Sequence, residues 1–234
     1  MLVGGVDGTK KGWVVVTLDE NGIDAFGAGS IFEALSRLEG AHAVAIDMPI
    51  GFVDRAEPGG RLCEKAARAI LGRRSSSVFS SPCRAALQAG DYAAASAVNR
   101  ASSAHDLGLS KQSHAIFPKM REIDSALDPC IQDRVFEVHP EVCFSELARL
   151  SGQEIGESKK SWAGAAQRIG LLEGAGVAVG GLMTRSRELG AASDDIIDAA
   201  AAAWTARRRA MGTAFCLPES PDIDARGLRM EIWV

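Results

Sequence analysis

The chain has 234 residues and 47% hydrophobic content, enough apolar material for one large domain or a domain with a substantial insertion. Lys and Arg number 26 against 30 for Asp and Glu, a net charge of −4, which excludes sequence-blind adhesion to nucleic acid or anionic membrane and leaves such contacts to local basic patches. Five cysteines without a CxxC pair suggest neither a disulfide framework nor a thiolate zinc site, and with no signal-like amino terminus and no apolar run of ~18 to 20 residues the expectation is a soluble, cytoplasmic protein without membrane contact.

Three β-like segments open the chain: Leu2 to Val6, Gly12 to Leu18 with its Val14-Val15-Val16 run, and Ile23 to Gly27 after the turn Asp19-Glu20-Asn21-Gly22. They read as an antiparallel meander. Ser30 then precedes Ile31, Phe32, Leu35 and Leu38 at helical spacing, with Glu33 placed for a capping box and Gly40 closing the segment. The apolar run Ala43 to Ile46, followed by Asp47 and stopped by Pro49 and Gly51, suits a fourth strand buried on both faces and parallel to the first, reached by a right-handed crossover.

Residues from about 52 to 134 carry helical pattern with little strand signal and read as a helical insertion within a single domain spanning 1–234. Strand pattern returns from Arg134 to Pro140, and period two places Glu137 and His139 on one face and Phe136 and Val138 on the other. Glu141, beyond the proline, could instead cap a helix containing Phe144 and Leu147. A helix starts at Ser193, its expected cap, with Asp194 and Asp195 in the electropositive first turn and Ala199 to Ala203 forming a thin face able to approach a sheet closely. Arg229 to Val234 suits a last short strand.

Chemistry concentrates in acids. A carboxylate ending a buried apolar strand is costly unless a cation or several donors compensate it, and this chain has one at Asp7 and another at Asp47. On parallel neighbouring strands both emerge at the same carboxyl edge, within reach of one ion; either alone is as well explained as the cap of its following turn. Asp198 shares a helix face with Asp194 and Asp195 and is the more informative of the three, being deeper in the helix and less served by its dipole, with Asp195 as its partner. Oxygen donors with few histidines favour Mg²⁺ or Mn²⁺, and two ions ~3.5 to 4 Å apart would support phosphodiester hydrolysis. His139 or Lys10 would assist proton transfer or phosphate positioning.

Two basic segments are candidates to meet a nucleic-acid backbone: Arg73-Arg74-Ser75-Ser76-Ser77, and the run Lys111, Gln112, Lys119, Arg121. A solvated loop and an exposed helix face explain them as well. Arg207-Arg208-Arg209 and Lys159-Lys160 read as solvated helix ends, and no aromatic-basic interleaving supports a base-stacking platform.

Taken in order, GVDGTKKGWVV, AIDMPIG, RRSSSVFSSP, FPKMREID, VFEVHPEVCF and DDIIDAAAAAW resemble domain-of-unknown-function family 429, a family of predicted ribonuclease H-like nucleases, over nearly the whole chain. The resemblance implies an α/β fold similar to ribonuclease H and the Holliday-junction resolvases: a mixed five-stranded sheet of order 3-2-1-4-5, flanked by helices, with the helical insertion after strand four. It implies that Asp7 and Asp47 are the strand-one and strand-four acids and that Asp195 and Asp198 are those of the late helix. Glu137, His139 and Glu141 match the family's EVHPE motif, and Arg74, Ser76, Lys119 and Glu122 match its inserted segments, without a role that transfers. Asp47 stands where resolvase-like enzymes commonly have glutamate, and Cys63-Glu64-Lys65 departs from an expected acidic-arginine pair. A metal-dependent nuclease is the leading reading; the others are a nucleotide-binding or phosphoryl-transfer protein of the related actin-like fold, prompted by the Asp7-Gly8-Thr9-Lys10 turn, and a non-catalytic interaction module.

Overall fold

A computed structural model describes all residues, 1–234. In chain order its strands are β1 (Val3–Gly8), β2 (Trp13–Asp19), β3 (Gly22–Ala28), β4 (Ala43–Ile46), β5 (Val135–Glu137), β6 (Cys216–Ile223) and β7 (Arg229–Trp233). Its helices are α1 (Ile31–Arg37), α2 (Leu62–Leu71), α3 (Arg84–Leu87), α4 (Tyr92–Ser102), α5 (Lys111–Ala115), α6 (Phe117–Ala126), α7 (Pro140–Leu150), α8 (Trp162–Gly174), α9 (Ser186–Leu189) and α10 (Ser193–Ala210). No helix is long and apolar enough to cross a membrane.

The chain divides into two compact units, one of residues 1–48, 133–215 and 233–234, the other of 49–132 and 216–232. The first contains a five-stranded sheet of order β3-β2-β1-β4-β5, the order expected from the resemblance. The meander β1-β2-β3 is antiparallel, whereas β4 runs parallel to β1 and β5 parallel to β4. Strand β4 is wholly buried, as its unbroken apolar run predicts.

One face of this sheet is covered by α10. Its central alanines, Ala199 to Ala203, are completely buried with Val3, Val14, Val16, Ala45, Phe136 and Val138. The contact reaches backbone distance at Gly5: a β-carbon there would lie 2.1 Å from both the Ala199 carbonyl oxygen and the Ala203 nitrogen. On the opposite face the neighbouring Gly4 looks toward the Leu38 side chain at the end of α1. The Ser30 hydroxyl caps α1 by accepting from the Glu33 amide at 3.2 Å, and Glu33 reciprocates one residue earlier than a capping box requires, accepting from the Gly29 amide at 2.8 Å.

Three expectations about elements need correction. Strand β5 stops at Glu137, because Pro140 occupies the first turn of α7, where its fixed φ and missing N–H are tolerated, and His139 becomes that helix's N-cap residue. Ser193 does not cap α10; it is the first helical residue, and the Asp195 carboxylate closes the terminus by accepting from the Ala192 amide at 2.9 Å. Arg207, Arg208 and Arg209 do end α10, yet they are only partly exposed. Arg207 donates to the Ala175 carbonyl at 2.6 Å, Arg208 to Glu146 at 3.3 Å and to the Thr213 carbonyl at 2.7 Å, and Arg209 stacks on Phe136 and Trp233.

The second unit contains α2 to α6 and a two-stranded sheet of β6 and β7, so the last strand pairs with a strand that lacked a clear sequence signal. Asp224, at the hairpin turn, accepts from the Arg226 and Leu228 amides and from Phe52, and is ion-paired to Arg84. Glu64 is buried, paired to Arg61 at 2.8 Å and accepting from the Ser81 amide at 3.0 Å, which gives it a structural task.

Candidate metal centre

The register of the sheet brings the first two acids together. Gly5 is paired with Ala45 and Val6 with Ile46 across the parallel β1–β4 ladder, and the Asp47 amide continues it by donating to the Val6 carbonyl at 2.9 Å. Asp7 and Asp47 therefore fall in the next row, on neighbouring chains ~4.8 Å apart. By alternation both point to the face of Gly5 and Ala45, the face covered by α10.

The helix supplies the third acid. Moving two residues along β1 from Gly5 to Asp7 advances about 6.6 Å, which α10 matches with about four residues. Counted back from Ala203 toward the helix start, about 6.6 Å at about 1.5 Å per residue ends between Asp198 and Ala199. One carboxylate oxygen from each of Asp7, Asp47 and Asp198 lies within 4.8 Å of the other two. Asp7 and Asp198 are buried and Asp47 is partly buried. The Gly8 amide fixes Asp7 by donating to Oδ1 at 2.6 Å.

Such crowding shows in the acidities. Burial, then repulsion from Asp47, Asp198 and Asp195, holds the Asp7 carboxyl well above the usual range against the opposing Gly8 amide. Asp47 is raised likewise by burial and by Asp198, with Lys159 opposing. Burial pushes Asp198 up to about 6 although Lys159 donates to its Oδ2 at 2.9 Å. Burial works against the Lys159 charge, but Asp198, Asp47 and Glu141 hold its pKa well above the ordinary lysine value. Lys159 thus joins the acidic cluster, although it belongs to a pair that reads as a solvated helix end. Nothing in its local spacing points to Asp198, 39 residues away.

The donor set fits a hard divalent cation: three carboxylates and no thiolate, since burial pushes the nearby Cys143 thiol up to about 12. Oxygens on one octahedral Mg²⁺ lie about 3 Å apart when adjacent and about 4.2 Å apart when opposite, so an ion would draw the trio closer than the 4.8 Å that bounds it. Three carboxylates against one ammonium leave two negative charges, which one divalent ion balances.

The remaining predicted residues are distributed differently. Asp195 stands one turn outside the trio, near enough to raise Asp7 while capping α10. Glu137 is buried on the row of Val6 and Ile46, whose side chains alternate away from α10, so the face that marked it as a site residue is the other face of the sheet. His139 lies past the strand end, partly buried. Glu141, in the first turn of α7, is buried and held by both Arg168 Nη2, at 2.8 and 2.9 Å, and Nε, at 3.1 Å. Lys10 is exposed on the β1–β2 turn. Arg73, Arg74 and Ser76 lie on a 3-10 turn, Gly72–Ser77, and Lys119, Arg121 and Glu122 on α6, all within the second unit. Arg121 is committed to its own fold, donating to the Leu87 carbonyl and, at 3.0 Å, to that of Ala89.

Arg168 also donates to the Glu157 carbonyl at 3.3 Å and to the Gly164 carbonyl at 3.0 Å, so one guanidinium joins α7, α8 and the segment leading to Lys159. Arg168→Met is expected to cost about 3 to 5 kcal/mol in urea unfolding, because it strands the buried Glu141 charge. A loss below about 1 kcal/mol would show that Glu141 is otherwise satisfied.

The acidities give a second prediction. An acid whose folded pKa exceeds its unfolded value binds protons more tightly in the native state, so its penalty is absent below the unfolded pKa, near 4, and grows as pH rises through the folded value. For Asp198, raised from 3.8 to about 6, the penalty is about 3 kcal/mol. In EDTA, wild type is expected to lose stability relative to Asp7→Asn between about pH 4 and pH 7, with saturating Mg²⁺ removing the loss. Parallel stability–pH curves for the two proteins would contradict it.

A family model described as "Protein of unknown function (DUF429)" matches residues 5–223, most of the chain and all three acids. No curated protein and no solved structure matches.

Proposed function

The chain belongs to that family, DUF429, and from its acidic centre we propose that it is a divalent-metal-dependent nuclease that hydrolyses phosphodiester bonds with Mg²⁺ or Mn²⁺ held by Asp7, Asp47 and Asp198. The observation that carries this reading is the convergence of three largely buried carboxylates at one sheet edge with only one ammonium among them. Sequestering like charges costs free energy that a bound cation would recover, beyond what the Gly8 amide and Lys159 offset.

Bound there, the ion would supply Lewis acidity, activating water and neutralising charge on the leaving oxygen. The chain's own residues have separable tasks. Asp7, locked by the Gly8 amide, and Asp47, locked in the strand ladder, hold two donors at fixed spacing. Asp198 brings the third from α10, and Lys159 orients it while placing a positive charge where a phosphate oxygen would approach. The Cys143 thiol, accepting from the Thr205 hydroxyl at 3.2 Å, stays protonated and takes no part as a nucleophile. Asp195 tightens the field on Asp7 from the helix start.

The actin-like alternative required the turn after Asp7 to cradle a phosphate. In that turn Thr9 Oγ1 accepts from the Gly12 amide at 3.1 Å and the Lys11 amide at 3.4 Å, so those donors serve the hairpin itself. This does not favour a phosphate loop. Nucleic acid as partner is part of the proposal, as is a cytoplasmic setting. With Mn²⁺, purified protein is expected to cut at least one of a panel of single-stranded, duplex, hybrid and branched substrates, with cleavage abolished by EDTA. A panel left intact by wild type would sink the nuclease reading.

A further inference from the structure

Trp162 is 87% exposed, the most exposed of the large hydrophobic residues, yet it sits on one of the better-fastened turns of the first unit. The Ser161 hydroxyl caps α8 by accepting from the Gly164 amide at 3.0 Å and donates to the Ser158 carbonyl at 2.9 Å. The Ser161 amide bonds the same carbonyl at 3.0 Å, and the Lys160 amide donates to Ser158 Oγ at 3.3 Å. Gly164 permits this: a β-carbon there would meet the Ser158 carbonyl oxygen at 1.9 Å. The Arg168 bond to the Glu157 carbonyl fastens the turn's approach. An indole left in water on such a turn gains nothing for the fold, since its burial would be worth about 2 to 3 kcal/mol.

The same turn delivers Lys159 to Asp198. Three residues of chain span at most about 11 Å, so the Trp162 backbone stands within that distance of Lys159, a separation of a few stacked nucleotides at about 3.4 Å each. Lys160 is exposed between them. A lysine at the acids, a second lysine beside it and an open indole next in line form the alternation of charge and ring that grips a single strand, phosphate by ammonium and base by ring.

We propose, resting on the nuclease reading, that the turn Ser158–Trp162 is the substrate grip and that it selects nucleic acid with unpaired bases: Trp162 stacks on an exposed base while Lys160 meets the flanking phosphate. A duplex hides its base faces and gains nothing from the indole.

The test uses the full chain carrying Asp7→Asn, to suppress cleavage, with Mg²⁺ and fluorescein-labelled oligothymidylate, read by anisotropy. Adding Trp162→Ala is expected to weaken binding about 5- to 150-fold, the range for stacking one base on an aromatic ring, with Trp162→Phe retaining most of the affinity. Binding of a blunt duplex should not change with either substitution, and calorimetric uptake of Mn²⁺ by an otherwise wild-type Trp162→Ala chain should match wild type. Equal strand affinity with and without the indole overturns the grip, and does so without touching the nuclease reading if wild type still cuts its panel. So does a change of oligomeric state by light scattering at unchanged strand affinity, which would assign Trp162 to a protein contact. If wild type neither binds nor cuts any strand, both proposals fall together.

Discussion

Asp7→Asn is expected to lower metal-dependent cleavage by about a thousandfold or more, equivalent to about 4 kcal/mol of transition-state stabilisation. Asparagine retains the oxygen that accepts from the Gly8 amide and fills the same volume, so the change removes charge and little else. The charge lost is crowded by others, with Asp47, Asp198 and Asp195 all acting on it. Two consequences separate loss of function from loss of fold. In EDTA the variant should be at least as stable as wild type at pH 7, since one of several crowded carboxylates has gone. In Mg²⁺ wild type should gain stability and the variant little, because stabilisation by a ligand follows its affinity for the native state. Calorimetric titration with Mn²⁺ and thermal melts with and without Mg²⁺ read both. Equal heats for the two proteins would remove the metal site, and a variant that melts far below wild type in EDTA would make Asp7 a structural residue.

Much of this centre was legible because its geometry follows from local rules. Alternation along β1 and β4, a crossover long enough to make them parallel, and a polyalanine helix with an acid at its deeper end together place Asp7, Asp47 and Asp198 at one edge. Glu137 stands on the opposite face of the sheet, since period two says which residues share a face but not which face α10 covers. Gly5 decides that face, through a contact between segments nearly two hundred residues apart. Lys159 and Arg168 escaped for a related reason: their partners, Asp198 and Glu141, are distant in sequence, and an isolated lysine or arginine in a helical stretch carries no mark of burial. The β6–β7 hairpin was hidden by two prolines in β6, which ordinarily argue against a strand. Pairing at the edge of a two-stranded sheet tolerates them.

Gly5→Ala follows from the one contact that sets both the fold and the site. The new methyl would stand 2.1 Å from the Ala199 carbonyl oxygen and the Ala203 nitrogen, and 2.7 Å from the Ala203 α-carbon. All three are main-chain atoms in the middle of a buried helix, so no side chain can rotate away. Relief requires α10 to retreat from β1 by about an ångström, opening space along the alanine face that no neighbouring group can refill. Loss of about 4 kcal/mol or more in urea unfolding is expected, at the upper end of overpacking effects because the obstruction is backbone. The adjacent Gly4→Ala is the control. Its methyl would meet only the Leu38 side-chain tips, at 2.9 and 3.0 Å, on the opposite face, and these can shift, so a cost of about 1 kcal/mol or less is expected. Since Asp198 rides on α10, Gly5→Ala protein that still folds in the cold should also bind Mn²⁺ more weakly than Gly4→Ala protein. If the two glycines proved equally replaceable, α10 would not be seated on β1 at Gly5, and the placement of Asp198 over Asp7 and Asp47 would lose its foundation.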